Sequence, residues 1–429
     1  MTIIGQPVQQ ISIGVTASIP RSRFAHVRQR LLLRGFKWDP HVGDEEVLAP
    51  FAITLSAESW RFLASSARAL AAETVAAEKE LLGRPELWRE LAVPRPLRRL
   101  LEPSAWPVPT PAASRIMRFD FHPTSTGWRV AEVNSDVPGG FTEACNLPLL
   151  MAAELGEGLY PAGDPGGAWI RSIAGAAGEK LVALVCAPGY LEDRQIVSYL
   201  KFRLEEAGSS AALVDLRSIL WRDGDAYVVA DGAIVPVGAI VRFYQAEWLA
   251  ELPRSSNWRM LFAGGKTPVT NDAGAVFTES KGFPLVWDRL RTRMPMWREL
   301  LPETRPVEQA DWKRDERWLV KEKYSNNGDS VFFRAMADAP TLRRVERDIW
   351  WRPSHWIAQR RFDPIPLDTP IGRCFPCIGV YVVDAEPAGI YARLSRGLIT
   401  DYSAIDVAAL IDRSLDSSLD LFLDSGASQ

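Results

Sequence analysis

Two short segments constrain the fold most: Arg118-Phe119-Asp120-Phe121 and Ala131-Glu132-Val133-Asn134. In both, polar residues alternate with apolar or small ones. Alternation with period two is a strand signature, because successive side chains leave opposite faces of the pleat. Arg118 and Asp120 therefore share a face, and so do Glu132 and Asn134. The connection from His122 to Gly127 (HPTSTG) reads as a hairpin loop. If the two strands pair, the four polar heads meet on one surface. Asp120, Glu132 and Asn134 would offer the hard oxygen ligands that Mg2+ takes beside phosphates and water. Arg118 suits a phosphate or acyl-phosphate oxygen. The competing reading is a surface salt bridge on two half-exposed edge strands.

With 429 residues, 47% of them hydrophobic and 24% charged, the chain should form two or three globular domains. A net charge of -3 provides no general attraction for nucleic acid or an anionic membrane. No apolar run reaches the roughly 18 residues of a membrane-spanning helix. The start, MTIIGQPVQQ, lacks a basic segment followed by an apolar one, so a cytoplasmic location is expected. Of the four cysteines, Cys374 and Cys377 form one C-x-x-C running into the strand Gly-Val-Tyr-Val-Val. No further Cys or His lies at a spacing that completes a zinc site, so reduced thiols are expected. His26, His41, His122 and His355 have no metal-like spacing either, and His122 reads as a loop residue.

Four regions follow along the chain. Residues 1–115 read as mostly helical, with Ser56 as N-cap of an Ala-rich helix running to Leu82. Residues 116–160 carry the polar hairpin and end in a Gly/Pro-rich linker. Residues 161–260 have a strand–helix–strand rhythm that implies a parallel sheet, without the G-x-G-x-x-G dinucleotide fingerprint. Residues 261–429 place Lys281 at a helix start. They then run through a strand bearing Lys321 and Lys323, a small-residue loop with Gly328, a helix from Leu342 to Trp350, and a strand with Gln359. A β-hairpin follows, with Arg393 on its return strand, and residues after Asp406 read as a short helix. A glycine-containing hairpin can cover phosphates with its backbone N–H groups while a lysine supplies charge.

In this order the pieces resemble the synthetase part of glutathionylspermidine synthetase and its stand-alone relatives, which are circularly permuted ATP-grasp ligases. Arg118-Phe-Asp120 and Glu132-Val-Asn134 look like the family's active-site arginine and its three magnesium ligands. TESKGFPLVW is similar to the segment of the first nucleotide lysine, mapping that role to Lys281. LVKEKYSNNGDSV is similar to the phosphate-covering hairpin, with Lys321 as second lysine, Lys323 as a helper and Gly328 in the loop. Ile357-Ala-Gln359 resembles the strand that passes the adenine, and AGIYARLSRGLIT the strand of the reactive arginine, here Arg393. The Glu192-Asp193 helix and VRFYQAEWL resemble the preATP-grasp domain.

The resemblance implies an α/β fold (α+β elements): an ATP-grasp core with a preATP-grasp parallel-sheet domain, in circularly permuted order. It also implies ATP and Mg2+, and an ADP-forming ligase that joins a small-molecule or peptide carboxylate to an amine through an acyl phosphate. Two departures stand out. The family's K-P-x-x-G-R-x-G loop reads Lys321-Glu-Lys-Tyr-Ser-Asn-Asn-Gly here, without its proline and arginine. Val137, Pro138, Gly139 and Gly140 replace the hydroxyl residues that face glutathione. The altered loop leaves a second expectation: a catalytically weakened relative acting as nucleotide-binding scaffold or regulator.

Overall fold

The structure is a computed structural model and describes residues 11–102, 108–324 and 330–415. Three sheets dominate these residues. The largest has nine strands. Its spine runs in the order Ile13–Val15, Leu48–Ser56, Ile405–Asp412, Glu386–Ser395, Gly372–Val383, Ile116–Thr124, Gly127–Asn134. The second sheet contains parallel pairings of Leu181–Cys186 with Ala211–Leu213 and with Ala233–Phe243. The third is a four-stranded antiparallel sheet ordered Thr304–Pro306, Trp356–Arg360, Trp318–Glu322, Val331–Phe332.

The long helix Ala57–Leu82 begins where the sequence places its cap: the Ser56 side chain accepts from the Ser59 N–H. Its Leu63, Leu70, Ala77 and Leu81 recur at helical spacing and are fully buried. They join Phe51, Ile53, Phe119, Phe121, Val380 and Ile411 in one core under the nine-stranded sheet.

Two local expectations are corrected. Among the described residues the region read as mostly helical is so, and it also supplies Ile13–Val15 and Leu48–Ser56 to the sheet. Residues after Asp406 are a strand, Ile405–Asp412, parallel to Leu48–Ser56, and not a helix. A short apolar run such as VAALI fits either element, and the gap between two sheet edges decides. The connection His122–Gly127 is mostly strand: Ile116–Thr124 extends to Thr124, and pairing resumes at Gly127. All four cysteines are free. Among the described residues no helix is long and apolar enough to cross a membrane.

Candidate active site

The polar hairpin forms as its alternation requires. Arg118 pairs with Asn134 and Asp120 with Glu132, so all four face one side. The register slips between Asp120 and Phe121, which makes Ala131 an extra residue in the second strand. This bulge explains a change of parity. Trp128 and Val130 are buried in the core, yet Glu132 and Asn134, also even-numbered, face the opposite side while Val133 turns inward. Bulges re-aim side chains in this way next to functional clefts.

The neighbouring strands complete the surface. On Gly372–Val383, Tyr381 lies opposite Arg118 and Gly379 opposite Asp120. On Glu386–Ser395, Arg393 pairs with Cys377 and Tyr391 with Gly379. Arg393 reaches Asp120 across the intervening strand, and Gly379 leaves the space that the Arg118–Asp120 pair fills. A Cβ there would stand 2.7 Å from Arg118 Cδ and 3.0 Å from Asp120 Oδ1.

Asp120 is the hub. It accepts from Arg118 Nε at 2.7 Å and Nη2 at 3.0 Å, from Arg393 Nη2 at 2.8 Å, and from Asn134 Nδ2 at 3.3 Å. Burial pushes its carboxyl up, but Arg118 and Arg393 outweigh that, and the net shift is below the usual carboxylate range. Both guanidinium groups sit over the Tyr391 ring, at 5.2 and 5.3 Å. Arg118 Nη1 also donates to the Gly139 carbonyl at 2.7 Å.

Glu132 faces the lysines. Lys281 Nζ lies 3.3 Å from Glu132 Oε2, and Lys321 Nζ donates to the carbonyl of the bulge residue Ala131 at 3.3 Å. Burial pushes Glu132 up, while Lys281 and Lys321 more than reverse it. Lys321 is buried and pulled down to about 8 by desolvation.

One cleft is lined by Asp120, Glu132, Lys321, Gln359 and Arg393 together. An adjoining, more apolar recess is lined by Glu132, Lys281, Lys321 and Gln359 with Phe283 and Trp297. Gln359 Nε2 donates to Thr304 Oγ1 at 3.0 Å. On the opposite flank a polar pocket is bounded by Arg118, Asn134, Glu192, Asp193, Tyr391 and Arg393.

The structure thus brings Arg118, Asp120, Glu132, Asn134, Lys281, Lys321, Gln359 and Arg393 onto connected surfaces. Lys323 is set apart. Its Nζ donates to the Glu90 carbonyl at 2.7 Å, and burial pulls it down to about 8. Gly328 lies outside the described residues. His122 is not in a loop: it sits on the strand with Arg118 and Asp120, lines the cleft and packs on Phe362 at 5.3 Å. Burial holds it down to about 4, so it is neutral at pH 7.

Several contributors had no separate signal in the sequence. Gly379 and Tyr391 are visible only through cross-strand register. Glu279 Oε2 accepts the backbone N–H groups of Ser135 and Asp136 at 2.6 and 2.8 Å, pinning the turn that follows Asn134.

The sequence model of the glutathionylspermidine synthase preATP-grasp family matches residues 20–412. The chain belongs to this family. The family's chemistry is that of carboxylate–amine ligases, generally with ATP and Mg2+. Among solved structures, a glutathione synthetase-like effector from Globodera pallida, in its apo form, is similar at 9% identity and a TM-score of 0.65. That likeness covers 90% of this chain and 96% of the other, and at this identity it bears on the fold alone. A structure named for a putative gamma-glutamylcysteine synthetase, from Methylobacillus flagellatus, shares 11% identity over 75% of this chain and 82% of its own. Its TM-score of 0.33 is too low to carry weight. No curated protein matches the chain. The fold is mixed α/β, an ATP-grasp core with a preATP-grasp parallel-sheet domain in permuted order.

Proposed function

We propose that the protein is an ATP-dependent carboxylate–amine ligase that forms an amide through an acyl phosphate and releases ADP and phosphate. The observation that carries this reading is the meeting of Asp120 and Glu132 with Lys321, Gln359 and Arg393 in one cleft, with Arg118 and Lys281 beside them. The acid residues come early in the chain and most of the cations late, so only the fold could join them.

In this reading Lys281 and Lys321 hold the phosphates of ATP. Lys321 is desolvated by burial, and an anion beside it favours its charged form. Gln359 serves the nucleotide at the edge of the Phe283–Trp297 recess. Lys323 would help only after leaving the Glu90 carbonyl. Residues 161–260 form the unit that closes the acceptor side, and residues 261–429 deliver the lysines.

Asp120, Glu132 and Asn134 fit magnesium by donor chemistry. Two carboxylates stand directly opposite one another, and the Asn134 amide gives its N–H to Asp120, leaving its oxygen as a donor. When bound there, Mg2+ neutralises charge on phosphate oxygens. The chain's own groups do the rest. Arg118 and Arg393, held side by side through Asp120 and over Tyr391, face the oxygen charge that develops as the substrate carboxylate takes the phosphoryl group. They face it again as the amine adds to the acyl phosphate, loses its proton and expels phosphate. Preorganised donors of this kind are typically worth about 3–4 kcal/mol each.

Purified protein, ATP, Mg2+ and a panel of carboxylic acids and amines provide the test, read as amine-dependent ADP release. Absence of release across a broad panel sinks the reading. A weakened relative acting as nucleotide-binding scaffold or regulator is favoured by one observation, the diversion of Lys323 to the Glu90 carbonyl. It predicts stabilisation by Mg-ATP without turnover.

A further inference from the structure

The four-stranded sheet has two faces, and only one belongs to the cleft. Lys321 and Gln359 line the cleft, whereas their neighbours Val320 and Ala358 cluster on the other side with Val345 and Ile349 of the helix Ala339–Trp351. The helix thus covers the back of the sheet, and its outer face is unused by the ligase chemistry.

With about 3.6 residues per turn, burying Val345 and Ile349 turns Arg343, Arg347, Trp350 and Trp351 outward on one arc, with Arg344 at its border. All five are exposed, Trp350 by 74% and Trp351 by 70%. The two indoles stand edge to face, with ring centres 4.9 Å apart. Lys313 adds a further cation across an open surface that it shares with Arg343, Arg347 and Trp350.

Two features of this arc are unfavourable in water. Arg343 and Arg347 are like charges four residues apart, which destabilises a helix. The acids at the flanks are committed elsewhere: Glu346 accepts from Arg334 at 3.0 Å and Asp348 from Arg352 at 2.6 Å. Two adjacent indoles also leave a large aromatic surface unburied. A negatively charged surface that lets the rings leave water relieves both. The chain as a whole carries -3, so the attraction is local to this face.

We propose that the helix Ala339–Trp351 docks the protein on a bilayer rich in anionic phospholipid. Arg343, Arg347 and Lys313 meet the headgroup phosphates, and Trp350 and Trp351 enter the interfacial layer. The charge of the arc selects a negative surface, and its shape selects a bilayer. The convex face of one helix can lie along a plane, and indoles favour the headgroup level, where ring and N–H are both satisfied. A nucleic-acid strand is instead tracked by a groove whose rings stack on bases. Here the surface is open and the rings are turned edge to face. Docking uses none of the residues assigned to ATP, because the sheet lies between this face and the cleft.

The test is co-sedimentation of the full chain with vesicles of phosphatidylcholine alone and of phosphatidylcholine mixed in equal parts with phosphatidylglycerol. Wild type should partition about 10-fold or more better onto the mixed vesicles, and high salt should remove most of that preference. Arg343→Glu/Arg347→Glu should lose about 10–100-fold in affinity, since each cation near such a surface is worth a factor of about 5. Trp350→Ala/Trp351→Ala should weaken binding about 10-fold and keep the preference for anionic lipid. All four side chains are exposed, so these variants retain the core. Arg21→Glu/Arg30→Glu makes the same change in net charge on another helix and should bind as wild type does. Equal affinity for the two kinds of vesicle overturns the proposal, as does an equal loss in the Arg21/Arg30 control. Tighter binding to polyuridylate than to the mixed vesicles, abolished by Arg343→Glu/Arg347→Glu, also overturns it and gives the face to nucleic acid.

Discussion

The two walls of the cleft handle charge in opposite ways. On the nine-stranded wall, charges interlock: Asp120 is held by Arg118, Arg393 and Asn134, and its net shift favours the ionised form. On the four-stranded wall, lysines rest on backbone: Lys321 and Lys323 donate to carbonyls, and burial pulls each down to about 8. The first wall is preorganised without a ligand. The second is short of negative charge and improves when an anion arrives. The proposed nucleotide site would use both, one fixed frame and one face whose charge is completed by the ligand.

The largest expected effect tests the frame. Asp120→Ala strands two buried guanidinium groups, and breaking such a pair costs about 3–5 kcal/mol. ADP release should fall by about 10²–10³-fold or more, with a clearly lowered melting midpoint. A variant that retains activity would dissolve the contrast between the walls.

Gly379→Ala comes next. The new methyl meets Arg118 Cδ at 2.7 Å and Asp120 Oδ1 at 3.0 Å, so the pair must shift from its place. Overpacking of this sort costs about 1–3 kcal/mol, and displacement near 1 Å about 10²-fold in rate. Normal turnover in this variant would mean that the close pairing of Arg118 with Asp120 is not needed.

The lysine wall can be divided by comparing Lys321→Met with Lys323→Met. The first should weaken stabilisation by Mg-ATP by about 10–100-fold in affinity, the value of one charge-assisted bond. The second should change it far less. The pH dependence has a definite sign. Each lysine titrates near 8 in the folded chain against an ordinary value of 10.5, so the unfolded chain holds more protons between those limits. The desolvation penalty is complete below about pH 8 and disappears toward pH 10.5, so stability from these groups rises with pH. Relative to either Met variant, wild-type melting midpoints should therefore improve from about pH 8 to about pH 10. A constant difference would refute the buried placement.

The smallest effect is expected at Gln359→Leu. Gln359 gives its amide nitrogen to Thr304 and is one of several residues lining the proposed nucleotide cleft, so its removal should raise the KM for ATP by about 3–10-fold and leave kcat nearly unchanged.

Local chemistry made part of this legible in advance. Alternation in RFDF and AEVN carried the strand pair and its common polar face, and the Ser56 cap was plain. The bulge at Ala131 was not, because nothing local distinguishes an unpaired alanine from a paired one. The strand Ile405–Asp412 was misread for a related reason: an apolar stretch takes the conformation its neighbours leave open. Lys321 and Lys323, two residues apart, read as one face of one strand. Their amines nevertheless diverge, because the strand ends at Glu322 and the Lys323 carbonyl instead accepts the Lys281 N–H.

The sequence alone determined which residues could supply oxygen ligands, phosphate-binding cations and a strand with a polar face, since these follow from side-chain chemistry and a period of two. Tertiary structure alone decided which of them meet. Asp120 and Arg393 are linked by a 2.8 Å contact although they are far apart in the chain, and Lys37 lies within reach of Asp406 for the same reason. Register across a sheet is set by global packing, and no window of sequence contains it.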